Sequence, residues 1–499
     1  MARRIILKQS TSSGSLPDGF LELSFDGSNF SQKIGATFSN VSSGGGGGGV
    51  DITDDRNNVL VPDFSLNVTT TGCYNVALGY HALNDNTTGQ NNIALGKYSL
   101  TYNTTGNHNI AQGYKALYKN ETGSFNVAMG YNSLRCNTTG SFNVAMGQSS
   151  LYSNTTGNAN VAMGQGSLRY NTTGNANVAM GWESLYSNTT GCNNVALGYG
   201  SLYSNTTGNF NVAMGQGSLY SNTTGNHNIA QGYKALLCNT TGASNVALGQ
   251  YALRCNTTGG NNVALGESAL CLNTEGYQNI AIGILAMGCN TCGSYNVALG
   301  GGVLRGNTVG AENVGLGTVA LASNTTGCNN IALGRGSLYT NTTGNYNLAQ
   351  GRKALYYNTT GSFNVALGQY ALQYNTTGGY NVALGRNSLR YNTTGGYNIA
   401  LGCKALYSNR TGNNNVAIGR NALAANTIGG LNVGIGYNVQ TGGFTASVIL
   451  GAAAAATGNN QFVVGSCNQN AGTVTTESCS STSTWTVRIN GLERKILLA

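Results

Sequence analysis

From Thr69 to Gly442 a single motif, N-T-T-G-x-x-N-[VI]-A-[LM]-G-x-x-[SA]-L-x-x, returns every 17 residues without insertion or deletion, giving 22 units. A strict short period marks a repeat architecture and constrains the fold more than any other feature of the chain. Within each unit, numbered 1 to 17 from the Asn of N-T-T, glycines fall at positions 4 and 11. Glycines this frequent leave no room for a 3.6-residue period, which excludes helix. The pattern predicts two short strands per unit, V-A-L and the segment around S-L, each entered through a glycine turn. Such units stack as coils of a parallel β-solenoid, with each residue lying about 4.8 Å above its equivalent one coil away. Val76, Ile93, Ile110 and Val127 then form one column, and Leu83, Leu100, Leu117 and Leu134 another.

The expected core consists of Val or Ile at position 8, Leu or Met at 10 and Leu at 15. Ala at position 9, as in Ala77, Ala94 and Ala111, is small enough to let a second surface approach. So thin a core predicts that several chains share it, three being the expected number. Twenty-two coils at ~4.8 Å make a rod roughly 105 Å long.

The N-V-A-L-G-x-x-S-L units resemble the head repeats of trimeric autotransporter adhesins. They are similar also to the repetitive tail-fibre and surface-fibre proteins of phages and giant viruses. The resemblance covers roughly residues 69–465 and implies an all-β, left-handed parallel β-roll, built as an intertwined or side-by-side homotrimer that works in attachment. The N-T-T segment adds three residues to the adhesin coil.

Low charge, at 8% of residues, with 40% apolar residues argues against a solvated disordered chain. Met1 to Lys8 lacks the apolar stretch of a signal peptide, and no apolar run reaches membrane-spanning length, so no membrane insertion is expected. These features fit a virion part assembled in host cytoplasm better than a self-exported adhesin.

The chain divides into residues 1–40, an N-terminal β attachment module; 41–68, a linker with six glycines and a solenoid entry cap; and 69–442, the array. Residues 443–466 form a transitional coil with a 14-residue spacing from Gly451 to Gly465, and 467–499 a C-terminal cap. In the cap, Asn490-Gly491 between two apolar runs predicts a hairpin with a type I′ turn. Residues 1–40 look like the end of tail-fibre proteins that joins the virion base or capsid.

Departures from the motif carry the remaining information. Gln112, Gln231 and Gln350 occupy position 10 at intervals of 119 residues, seven coils. His108 and His227 share that interval, as do Gly315 and Gly434 at the Ala position, a spacing explained by duplication of a seven-coil block. A glutamine column facing a three-fold axis would form buried, paired polar layers. Sequons at Asn86, Asn103, Asn137, Asn154 and most later units read as an Asn/Thr ladder satisfying a turn. Ten of the 12 cysteines lie in the array, where free thiols are the default. Cys238 and Cys255 stack on adjacent coils within disulfide reach, Cys289 and Cys292 form a lone C-x-x-C, and Cys467 and Cys479 are the expected pair outside the array.

The three histidines and the scattered carboxylates form no nucleophile–base pair and no acid/base dyad. The chain is therefore read as non-enzymatic, with no catalytic, cofactor or metal site. From Asn324 to the end of the array there are eight basic residues and no acidic one. Arg335, Arg352, Arg386 and Arg420 share position 12, while Tyr339, Tyr356 and Tyr407 occupy position 16. Forked guanidinium donors with nearby rings make this a candidate stripe for acidic glycans. The expected function is that of a trimeric viral or phage fibre displayed on the virion surface, with a host-surface glycan or protein as receptor. The alternatives are a bacterial trimeric adhesin on the cell surface and a structural extracellular filament.

Overall fold

The computed structural model describes residues 56–60 and 70–465. Outside them it describes only the backbone of the strands Glu22–Phe25, Phe30–Ile34, Thr37–Val41, Thr484–Ile489 and Leu492–Leu497. Twenty-five parallel strands, from Val59–Leu60 to Phe462–Val464, pair in sequence order as one continuous ladder, and no helix occurs among the described residues. Register is strict: Val178 pairs with Val195, Ala179 with Ala196 and Met180 with Leu197, a 17-residue offset that holds along the array. The offset falls to 15 at Val433↔Val448 and to 14 at Val448↔Phe462. The first three outlying strands form an antiparallel sheet, and the last two pair antiparallel with Ile489 opposite Leu492. The six-glycine run, the Asn490-Gly491 turn and the pair Cys467 and Cys479 lie outside the described residues.

Each coil contains one strand, not the two expected. Positions 8–10 are extended, but the S-L segment is a turn in which the position-15 leucine sits in the left-handed region, at φ 50 in Leu185 and 51 in Leu236. Positions 6 and 13 are also left-handed, so each coil places up to three non-glycine residues where an L side chain costs roughly 1–2 kcal/mol. Hydrogen bonds between coils offset this. In the turn Leu185 N–H donates to Ser201 O at 2.9 Å and Gly200 N–H to Trp182 O at 3.0 Å, so the ladder continues around the coil beyond the strand.

Leu at position 15 lies in the core as expected, but the strand residues face the opposite way from the expectation. Ala at position 9 and Leu at position 15 are fully buried, whereas positions 8 and 10 face outward and stay partly or substantially exposed. The reason is the two-residue period of a strand: once Ala faces in, its neighbours on both sides must face out. Alanine is needed inside because the coil is thin, and the leucine from the opposite turn fills the remaining width.

Two buried asparagine ladders complete the interior. At position 1, Asn188 Nδ2 donates to Asn171 Oδ1 of the preceding coil at 2.8 Å and to Gly191 O at 2.9 Å. At position 7, Asn194 Nδ2 donates to Asn177 Oδ1 and to Gly208 O, while Asn194 N–H also donates to Asn177 Oδ1. The position-4 carbonyl thus accepts from both ladders. A Cβ on Gly191 would collide with Asn188 Oδ1 and lie 2.5 Å from Gly208 O, which explains the glycine without invoking its φ. At position 11 both reasons apply: Gly181 has φ 137, and its Cβ would lie 2.6 Å from Gly198 O.

Gly315 and Gly434, set apart in the sequence only by their interval, have a packing role. A Cβ on Gly315 would collide with Val303 Cγ1, and one on Gly434 would lie 2.6 Å from Leu423 Cγ and 3.1 Å from Val439 Cγ2. Val303 and Val439 are buried at position 14, where most coils carry Ser or Ala; the larger Val303 is matched by the smaller Gly315, while Gly434 makes room for both Leu423 and Val439.

Candidate functional site

The coil's columns divide the rod surface into three faces. On the first, the strands present positions 8 and 10 outward. Ile229, Ile280 and Ile331 at position 8 and Met180, Ile282 and Ile435 at position 10 are exposed, and the remaining members are mostly half-buried. The apolar stripe runs the length of the array. Gln112, Gln231 and Gln350 interrupt it and are exposed, with no side-chain hydrogen bond among the described residues. The expectation that these amides are buried and paired is therefore not met within one chain, for the same reason that position 10 leaves the core.

The second face carries positions 12, 13, 16 and 17. Arg335, Arg352, Arg386 and Arg420 are exposed in one column, as the spacing implied. The half-buried tyrosines at position 16 turn toward position 13 instead. Tyr356 stacks on Tyr339 with centroids 4.9 Å apart and lies against Gly336, while Lys353 Nζ sits 5.1 Å from the Tyr356 centroid. Lys404 stands likewise 5.7 Å over Tyr407, whose ring meets Tyr391 edge-on. The structure thus aligns the four arginines but pairs the rings with lysines. Elsewhere on this face Arg390 Nε donates to Gln373 Oε1 at 2.9 Å, and Arg135 bonds the Tyr152 hydroxyl. The Tyr118 hydroxyl donates to Tyr102 at 3.4 Å; this bond, with burial, pushes its pKa up to about 12.

The third face carries positions 3, 5 and 6. Position 6 forms a ring ladder that the sequence reading missed: Tyr346, Phe363, Tyr380 and Tyr397 stack on successive coils with centroids 4.8–5.0 Å apart and planes within 9°. His108 on Phe125 and His227 on Phe210 belong to the same column, which gives two of the three histidines a packing role. Reading the array down its columns instead of along its chain would have revealed it.

Among the described residues the sequon nitrogens are not available as surface acceptors. Asn137, Asn154 and Asn188 are fully buried, and both hydrogens of each Nδ2 are committed within the ladder. Cys238 and Cys255 are free thiols, as are the other eight described cysteines. Burial, followed by the neighbouring Cys255, pushes the Cys238 thiol pKa up. No group of three His, Cys, Asp or Glu side chains suited to a metal ion occurs among the described residues, and no described helix is long and apolar enough to cross a membrane. Comparison with protein-family profiles, curated proteins and solved structures finds no match.

Proposed function

We propose that the chain is the rod-forming subunit of a viral or phage fibre, assembled as three parallel copies on the virion surface and used to attach to a host. The apolar stripe at positions 8 and 10 carries this reading. Over a rod about 105 Å long, two columns about 7 Å apart cover roughly 700 Å² before side-chain width is counted. That exceeds the apolar patch a typical monomer leaves open and matches one partner's share of a stable interface. In such an assembly the β-roll winds left-handed, and Gln112, Gln231 and Gln350 form polar layers between chains. Residues 1–40 join the virion base or capsid, and the outer faces meet a host glycan or protein receptor, with the Arg335, Arg352, Arg386 and Arg420 column favouring acidic groups.

Sedimentation equilibrium of the full chain tests the assembly: three times the 51.4 kDa chain mass is expected. Leu248→Arg with Leu265→Arg, both on the outward column, should release single chains that keep their β signal. A stable wild-type monomer with an intact β spectrum would refute the proposal.

A further inference from the structure

On the third face, an open groove of about 650 Å³ runs along the axis from Thr360 to Asn414. One wall is the ring ladder of Phe363, Tyr380 and Tyr397, which are 44%, 49% and 59% exposed. Offset stacking at this spacing leaves the ring edges and part of each face open. The other wall is the position-3 column, Thr360, Thr377 and Thr394, whose exposed hydroxyls make no hydrogen bond among the described residues.

The floor sets this stretch apart. On many coils the position-5 N–H donates to a side-chain oxygen at position 5 of the next coil. Asn345 N–H reaches Ser362 Oγ at 3.0 Å, and Gly396 N–H reaches Asn413 Oδ1 at 2.6 Å. Between them Gly379 and Gly396 supply no side chain, so Ser362 N–H and Gly379 N–H have no partner among the described residues. The missing Cβ atoms would lie 3.8 Å from Ser362 N and 3.9 Å from Gly379 N, so the vacant space is where an acceptor belongs. Neither glycine has a positive φ, so backbone conformation does not require glycine at either position. Position 5 likewise lacks an acceptor side chain at Ala243, Gly260, Ala311 and Gly430, but on those coils column 6 carries Ser244, Asn261, Glu312 and Leu431 and supplies no continuous ring wall.

We infer that this groove binds a linear oligosaccharide lying along the rod, with sugar oxygens accepting from Ser362 N–H and Gly379 N–H. Two unpaired donors on successive coils, about 4.8 Å apart, call for a ligand whose oxygens repeat at a similar rise, as those of a chain of linked pyranose rings do. The C–H surfaces of such rings suit the aromatic wall, and their outer hydroxyls suit the threonines. Among the described residues no charged side chain lines the groove, which favours a neutral ligand. This distinguishes it from any acidic glycan on the arginine column, and the proposal does not depend on the number of chains in the fibre.

Calorimetric titration of the full-length protein with β-1,4-linked hexamers of glucose and of N-acetylglucosamine tests it, with a polyuronate hexamer for comparison. At least one neutral hexamer should bind. Gly379→Ser with Gly396→Ser should fill the floor, satisfy both N–H groups as Ser362 does for Asn345, preserve thermal stability and weaken binding at least tenfold. Tyr380→Ala should also weaken it. Gly260→Ser and the change of the four column-12 arginines to Ser should leave it unchanged. Absence of binding by both neutral hexamers, undiminished binding in the double glycine variant, or loss of binding on removing the arginines would overturn the assignment. None of these outcomes bears on the sedimentation result, so the groove and the trimer can fail separately.

Discussion

Asn188→Ala should destabilise its part of the rod by about 3–5 kcal/mol, although it removes only an uncharged side chain from a polar triplet. The substitution deletes three hydrogen bonds: two donated by Asn188 Nδ2, to Asn171 Oδ1 and Gly191 O, and one accepted from Asn205 Nδ2 at 2.8 Å. Their loss is unequal in effect. Gly191 O keeps the bond from Asn177 Nδ2, and Asn205 Nδ2 keeps the one to Gly208 O. Asn171 Oδ1 keeps none and is fully buried. One stranded acceptor and one stranded amide hydrogen at about 1–3 kcal/mol each, with a small cavity besides, give the stated range. Asn188→Asp should be at least as harmful, because it preserves volume while turning two donations into oxygen–oxygen contacts. Thr190→Ala, in the same triplet but exposed, should stay within about 0.5 kcal/mol. Because coils contact mainly their neighbours, native-state hydrogen exchange should show lost protection around residues 171–221 and little change near residues 86–102. A cost under about 1 kcal/mol for Ala, or a neutral Asp at pH 7, would show that the ladder is filler and refute the reasoning.

Gly315→Ala should cost about 1–3 kcal/mol by overpacking against Val303. Combining it with Val303→Ala should recover part of that loss, and a purely additive double-mutant cycle would disprove the proposed pairing. On the second face, the Tyr118 pKa is raised to about 12 by the Tyr102 hydrogen bond and by burial, and burial also raises those of Tyr203 and Tyr356. A raised folded-state pKa favours the neutral folded form. The resulting stability is complete below the unfolded value near 10 and is lost as pH rises toward 12. Ultraviolet titration should therefore resolve a late-ionising tyrosine class that Tyr102→Phe diminishes, and a single ionisation near pH 10 would contradict it.

The period was fully legible in the sequence because a solenoid translates chain repetition directly into spatial repetition. Once 17 residues make one coil, register, column membership and parallel pairing follow, and Val178 must lie beside Val195. The alignment of Arg335, Arg352, Arg386 and Arg420 was legible for the same reason. So was the turn role of the N-T-T segment, since Asn and Thr are residues that bond to nearby backbone.

Side-chain direction was not legible. A three-residue V-A-L strand alternates in whichever phase its glycine turns impose, and the most apolar residues are not obliged to face inward. Hydrophobicity alone placed Val and Leu inside, whereas the thinness of the coil required Ala there. With that phase reversed, the glutamines at position 10 moved outward as well. The second predicted strand failed because left-handed φ at positions 13 and 15 is set by bonds to the coils on either side. Period and columns were determined by the sequence, since both are properties of spacing along the chain. The inward side of each column and the open donors beside the rings came only from tertiary structure, since both depend on what the next coil places opposite.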